Sequence, residues 1–176
     1  MPVSIRAATP SDAAGIAAIW NPVIRDTAFT FTDQPKSTDE IAALIQARSD
    51  AGLGFLVAVD SSVLGFATYS QFRAGPGYAG CVEHSILLAP VAQGTGLGRR
   101  LMTALEQHAQ ACGHRMLIGG VSGSNPKGIG FHAALGYAQV GRIPDAGHKQ
   151  GRYHDLVLMQ KILKAKDGQT APSAVN

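Results

Sequence analysis

Apolar and polar positions alternate from the start of the chain, with VSIRAA (residues 3–8) reading as a short strand. Behind it, TPSD carries a helix start, with Thr9 as N-cap, Pro10 at the first helical position and Asp12 three residues after the cap. Ile16, Ile19, Trp20 and Val23 then recur at helical spacing, and Pro22 is expected to end or kink that helix early. A second helix is expected from Ser37, with Glu40 at the capping-box position, to Gly52. FLVAVD (55–60), LGFATYSQF (64–72) and EHSILLA (83–89) read as strands, the first two joined by a tight turn at Ser61-Ser62. RAGPGYAG (73–80) is a Gly/Pro loop.

Pro90 stops the third of these strands. After a glycine-rich stretch, Leu97, Leu101, Leu105, Ala109 and Cys112 form one helical stripe. RMLIGGVS (115–122) predicts a strand, NPKGIGFHAALG a short helix, and YAQVGRI and RYHDLVLMQKIL two last strands around a PDAGHKQG loop (144–151). The order β-α-α-β-β-β-α-β-α-β-β is an α/β mixture with antiparallel hairpins in its first half. Residues 1–163 are expected to form one domain, and 164–176, which lack apolar periodicity, a disordered tail.

Composition narrows the function classes. Of the 176 residues, 45% are hydrophobic and 15% charged, with a formal net charge of +3. The Lys and Arg residues are scattered, which argues against nucleic-acid binding but suits a small polyanion. The first residues are too polar for a signal peptide and no long apolar run follows, so no membrane partner is implied and the cytoplasm is the default compartment. Cys81 and Cys112 form no CxxC pair and read as reduced structural thiols. The histidines and cysteines lack paired ligand spacing, so no metal is implied.

The stretch AQGTGLGRRLM (92–102) holds the candidate chemistry. Glycines at 94, 96 and 98 open a helix, whose N-terminus offers unpaired N–H groups and a positive dipole end. A P-loop is excluded because no Lys follows Gly98, and G-x-G-x-G departs from the dinucleotide fingerprint. What remains is a Gln93-x-x-Gly96-x-Gly98 pattern or a glycine turn with no ligand. Gln93-x-x-Gly96-x-Gly98, set between a strand and an amphipathic helix, resembles the acyl-CoA signature of the GNAT superfamily of N-acetyltransferases. The element order is similar to that fold, a mixed central sheet flanked by helices, over roughly residues 3–163. TAFTF, FRAGPGY, VEHSILL, GTGLGRRLM, SGSNPKGIGFHAALGY and GHKQGRYHDLVLMQ together resemble the phosphinothricin and methionine-sulfoximine acetyltransferase branch.

The resemblance implies acetyl-CoA as co-substrate, its pyrophosphate cradled by the backbone of Gln93, Gly94, Thr95, Gly96, Leu97, Gly98 and Arg99. Ile86, Leu87 and Leu88 would pair with the pantetheine arm, and a backbone N–H there would polarise the thioester carbonyl. Asn125 matches a cofactor-arm ligand, although with Pro126 after it the residue also reads as a helix N-cap; Gly128 stands where the family often has Ser. Glu83, a lone acid in an apolar strand, matches the catalytic base, against the alternative of a strand-end charge or ion pair. Tyr137 stands at the position of a general acid, and reads equally as a half-buried anchor. Arg73 matches a ligand of the substrate carboxylate, with Phe72 and Tyr78 as pocket walls, against the alternative of a solvated loop. GHKQG departs from the family's GFKFG at His148 and Gln150, which implies a more polar pocket. The expected reaction is direct transfer of acetyl to the α-amine of a small amino-acid analogue in a cytoplasmic homodimer. The apolar TAFTF segment is either a partner surface or a lid. Another amine acceptor, or a CoA-binding module without turnover, are the alternatives.

Overall fold

The structure, a computed structural model, describes residues 2–163, so the expected tail at 164–176 lies outside the described residues. The seven strands are β1 (Ser4–Ala7), β2 (Phe55–Val59), β3 (Val63–Gln71), β4 (Cys81–Leu88), β5 (Met116–Ser122), β6 (Ala138–Lys149) and β7 (Arg152–Ile162). They form one sheet in the order β1-β2-β3-β4-β5-β7-β6. Every neighbouring pair is antiparallel except β4–β5, which is parallel. The helices are α1 (Ala13–Asp26), α2 (Thr38–Asp50), α3 (Leu97–Ala111) and α4 (Pro126–Ala134). This is the element order expected from the sequence.

Local chemistry sets the helix ends. Ser37 caps α2 by accepting from the Glu40 N–H at 3.1 Å, while the Glu40 carboxylate accepts from the Ser37 N–H at 2.6 Å. Thr9 and Pro10 open a 3-10 turn, Pro10–Asp12, from which α1 continues. Of the two outcomes expected at Pro22, an end or a kink, the helix does not end there: α1 runs on to Asp26. The proline removes one donor and leaves the Ala18 carbonyl without its usual partner. Continuing the helix buries Ile24 completely, and that burial offsets the lost bond. Asn21 then holds the turn to α2, donating to the Lys36 carbonyl and accepting from the Lys36 N–H, both at 2.9 Å.

The last connection differs from expectation. PDAGHKQG is not a loop: β6 extends to Lys149 and meets β7 through a turn at Gln150-Gly151, with φ of 52° and 74°. Positive φ at both positions suits the twist of a hairpin. The apparent breaker at Pro144–Gly147 is absorbed as an irregularity, where the register shifts between Ile143 and Gly147.

The sheet has a helical layer on each side. Opposed residues of neighbouring strands share a face, so Glu83, Ser85 and Leu87 lie with Ser70, Thr68 and Phe66. Phe66 packs with Phe55, Val57, Ile16, Ile19, Ile41 and Ile45, so this is the α1/α2 face. Val82, Tyr69 and Ala67, with the alternate residues His84, Ile86 and Leu88, belong to the other face, against Leu101, Met102 and Leu105 of α3. The alternation therefore puts Glu83 and His84 on opposite sides.

Asp12 ties β1 to the start of α1. Its carboxylate accepts two hydrogen bonds from Arg6, each 2.8 Å, and one from the Thr9 N–H at 2.8 Å. The Arg6 bonds hold its pKa down to about 2. A depressed folded-state pKa stabilises the fold fully above the ordinary value of 3.8, and that contribution is lost as pH falls toward 2. Asp12→Asn is expected to cost about 1–3 kcal/mol at neutral pH. In urea titrations, the gap from the parent protein should close as the pH is lowered through that range.

Candidate active site

The central parallel pair is short. β4 pairs with β5 only from Cys81–His84 to Met116–Gly119, although β4 runs on to Leu88 and β5 to Ser122. Beyond His84 and Gly119 the strands part, and a wedge opens between Ser85–Leu88 and Gly120–Ser122. The β4 edge facing the wedge has unpaired backbone groups, which an extended ligand can satisfy as an added strand.

The glycine turn stands past the end of this edge. Pro90–Ala92 form a 3-10 turn, and α3 starts at Leu97 with Gly96 at its N-cap. Gly94 and Gly96 have φ of 75° and 83°, and among the described residues nothing lies within 4 Å of where a Cβ would sit on either. The N–H groups of Gly94, Thr95 and Gly96 have no acceptor among the described residues. Consecutive free donors, left-handed glycines and a helix N-terminus fit a diphosphate. The other residues of the motif hold the turn in place. The Thr95 hydroxyl donates to the Ala92 carbonyl at 2.8 Å, and Leu97 is buried. Gly98 is a packing glycine: a Cβ there would come 3.0 Å from the Phe131 ring and 3.2 Å from Leu88. Gln93 is exposed, and the Arg99 guanidinium reaches α4, donating to the Ala134 carbonyl at 3.2 Å.

Glu83 stands where the strands begin to part. It is half-buried, and none of the described residues forms an ion pair with it. Burial raises its pKa above the usual 4.5. A Cβ on Gly120 would lie 2.8 Å from Glu83 Oε1, so the missing side chain makes room for the carboxylate. Gly119 does the same on the other face, where a Cβ would lie 3.0 Å from His132 Nε2 and 3.1 Å from His84 Cε1. The Gly119-Gly120 pair has a sequence signal of its own, two glycines inside an apolar strand, where a close approach by another group is the usual reason for a missing side chain.

His84 and His132 form a buried pair with Nε2–Nε2 of 2.9 Å. His132 Nδ1 lies 2.7 Å from the Gly128 carbonyl, which can only accept, so Nδ1 carries the proton. His132 Nε2 then accepts from the His84 Nε2–H. His84 Nδ1 is left bare, with no partner among the described residues. Burial lowers both pKa values, that of His84 to about 3 with help from His132, and keeps both rings neutral. Asn125 caps α4, its side-chain oxygen accepting from the Gly128 N–H at 2.9 Å. A Cβ on Gly128 would lie 2.5 Å from Asn125 Nδ2, so Gly in place of Ser allows this cap.

Tyr137 lies on the sheet face opposite Glu83. Its ring lies on the α3/α4 face, 5.4 Å from His84 and 5.3 Å from His132. The hydroxyl is buried without a hydrogen-bond partner among the described residues. Lys161, which pairs with Leu117 where β4 and β5 are still joined, has its ammonium 5.6 Å from the ring and 2.7 Å from Glu106. Burial, with the Glu106 charge, raises the Tyr137 pKa far above its usual value. The phenol thus holds its proton, as a general acid must before it acts.

The β3–β4 loop with Phe72, Arg73 and Tyr78 lies at the other end of β4 from the glycine turn. Arg73 and Tyr78 are exposed, and the Arg73 guanidinium lies 5.9 Å from the half-buried Phe72 ring. His148 is exposed and packs edge-on against Tyr153 with ring centroids 5.0 Å apart, while Gln150 occupies the exposed hairpin turn. No cluster of three or more His, Cys, Asp or Glu side chains suited to a metal occurs among the described residues.

Known proteins share this architecture. Residues 5–158 match the Acetyltransferase (GNAT) domain family. The chain is 36% identical to the L-amino acid N-acyltransferase of Escherichia coli over 174 residues, 98% of this chain and 99% of that protein. It is 35% identical over 173 residues to the L-methionine sulfoximine/L-methionine sulfone acetyltransferase of Salmonella typhimurium, covering 98% and 99%. A solved phosphinothricin acetyltransferase from Sinorhizobium meliloti, in complex with AcCoA, superposes with a TM-score of 0.89 at 31% identity, covering 99% of this chain and 98% of that one. With a family match over residues 5–158 and relatives of 35–36% identity along nearly its whole length, the chain belongs to the GNAT acetyltransferase family.

Proposed function

We propose that this acetyltransferase moves the acetyl group of acetyl-CoA to the α-amine of a small amino acid carrying a tetrahedral polar head, of the methionine sulfoximine, methionine sulfone or phosphinothricin type. The observation that carries the reading is the placement of Glu83, half-buried and unpaired, where β4 and β5 begin to part. The names of the full-length relatives support the acceptor class.

The donor end is the glycine turn, where the free N–H groups of Gly94, Thr95 and Gly96 hold the diphosphate. The unpaired edge of Ile86, Leu87 and Leu88 holds the arm, helped by Asn125 Nδ2, which the cap leaves free. Bound acetyl-CoA supplies an activated thioester. The acceptor enters from the opposite end of β4, its carboxylate gripped by Arg73 beside Phe72 and Tyr78. Glu83 takes a proton from the ammonium, so the free amine can attack. A carboxylate whose pKa is raised by burial suits this role. Transfer is direct. Cys81 shares the Glu83 face, but burial and the Glu83 charge raise its pKa, so the thiol stays protonated and is a poor nucleophile. Much of the rate then comes from holding both reactants across the wedge. Tyr137, which keeps its proton, is in this reading the general acid for the departing CoA thiolate. Residues 1–163 act as one catalytic domain, in the cytoplasm and as a homodimer; the exposed Phe29 and Tyr78 offer apolar contacts for a second copy.

The reading is tested by following CoA thiol release with L-methionine sulfoximine as acceptor; thiol release no faster than without acceptor would overturn it. Glu83→Gln is expected to lower kcat by about 10²–10⁴-fold. A base must be ionised, so kcat/KM in the parent enzyme should fall as pH drops through the Glu83 pKa, above the ordinary 4.5. That acid limb should vanish in the Gln variant. Arg73→Ala removes a charged grip worth about 1.5–3 kcal/mol. It should raise KM for the acceptor at least tenfold and leave KM for acetyl-CoA unchanged in steady-state kinetics.

A further inference from the structure

Lys149 belongs to the GHKQG run, yet it does not line a pocket. Its residue is 5% exposed, and its ammonium donates to three backbone carbonyls: Ile24 at 2.5 Å, Thr30 at 2.9 Å and Thr32 at 2.6 Å. These carbonyls come from the last turn of α1 and from the segment after it, which contains TAFTF. All three protons of the ammonium are used. Among the described residues no carboxylate is within ion-pair distance, and Asp33 acts only from farther off, so the charge is held chiefly by carbonyl dipoles. A buried cation spent on one segment fixes that segment in place, since breaking its bonds leaves the charge unsatisfied.

Two further contacts bind the same segment to the β6–β7 hairpin. Phe31 lies over Gly147, where any Cβ would overlap the ring. Phe31 also stacks on His154, with centroids 6.1 Å apart and planes at 22°. His154 Nε2 lies 3.1 Å from the Lys149 carbonyl, which can only accept, so Nε2 carries the proton. Its Nδ1 then accepts from the Ser124 hydroxyl at 2.8 Å. Ser124 neighbours Asn125 at the mouth of the wedge. An unbroken chain of polar contacts therefore runs from the loop after β5, through His154 and Lys149, to the segment after α1.

The segment lies on the acceptor side. α1 packs on the Glu83 face, and β7 carries His154 and Leu156 on that same face, where Leu156 comes 3.4 Å from the Cβ position of Gly120. We infer that Lys149, with His154, is a positioning residue that holds the 27–32 segment as a fixed wall of the acceptor site, so that acceptor binding depends on it and donor binding does not. The inference rests on the proposed acetyl transfer for its kinetic form and on the geometry alone for its structural form.

The test compares Lys149→Met with the parent chain. With L-methionine sulfoximine and acetyl-CoA, KM for the acceptor should rise about tenfold or more, while KM for acetyl-CoA moves less than about twofold. Amide hydrogen exchange of residues 27–32 should accelerate in the variant, with the glycine turn at 94–96 unchanged. Equal shifts in both KM values, or unaltered exchange at 27–32, would overturn the inference. Gly147→Ala is the second variant: it displaces Phe31 without unpairing a charge, and should give the same split between the two KM values even where Lys149→Met fails to fold. If the parent chain acetylates no amino-acid analogue, the proposed function fails, and the exchange comparison still decides the strut.

Discussion

The site depends on a strand pair that stops early. In a seven-stranded sheet, β4 and β5 share only four register positions and then separate, at the centre rather than at an edge. Unmade backbone hydrogen bonds in such a place are costly unless something else makes them. The sheet tolerates the gap because each diverging strand keeps its outer partner: β4 stays paired with β3 through Leu88, and β5 with β7 through Ser122. The fold thus holds two free backbone edges apart, with a helix N-terminus and its unpaired N–H groups beyond one of them. Acetyl transfer needs an extended donor held by its backbone-like arm, and the gap offers that geometry before any side chain is considered.

The glycine pair in β5 refines the gap. Gly120 admits the Glu83 carboxylate on one face, and Gly119 admits the His84–His132 contact on the other. A larger residue at either position would meet a functional or buried polar group rather than solvent. The two glycines cost strand stability. They offset this by letting both layers close on the one place where β4 and β5 begin to part. The histidine pair, neutral and linked through Gly128 to the Asn125 cap, joins β4 to α4 behind the wedge.

Much of this was legible in the sequence, for identifiable reasons. Element order followed from periodicity, the start of α2 from its capping box, and the end of α3 from its stripe, because each signal is local. Pro22 left two outcomes open and PDAGHKQG misled, because a tertiary contact decided each: Ile24 needed burial, and the Pro144–Gly147 irregularity could be absorbed against β7. At the site, the glycine turn and Glu83 stood out as residue types in unexpected surroundings. Tyr137 did not reveal its side of the sheet, since its place at a helix-to-strand turn says nothing of where its hydroxyl goes. Lys149 was silent for the same reason: three carbonyls more than 110 positions away leave no trace in the spacing of side chains.

The irregular β6 has a consequence of its own. It is one of the two edge strands, spans Ala138–Lys149 and exposes Val140 and Ile143. A straight apolar strand of that length at a sheet margin invites a neighbouring molecule to extend the sheet without limit. Pro144 withholds a donor, Asp145 turns left-handed at φ 51°, and the register slips twice along the strand. The rim is therefore broken into pieces too short and too bent to template another chain. The bend that carries Lys149 toward the acceptor side also guards the molecule against open-ended aggregation through its own edge.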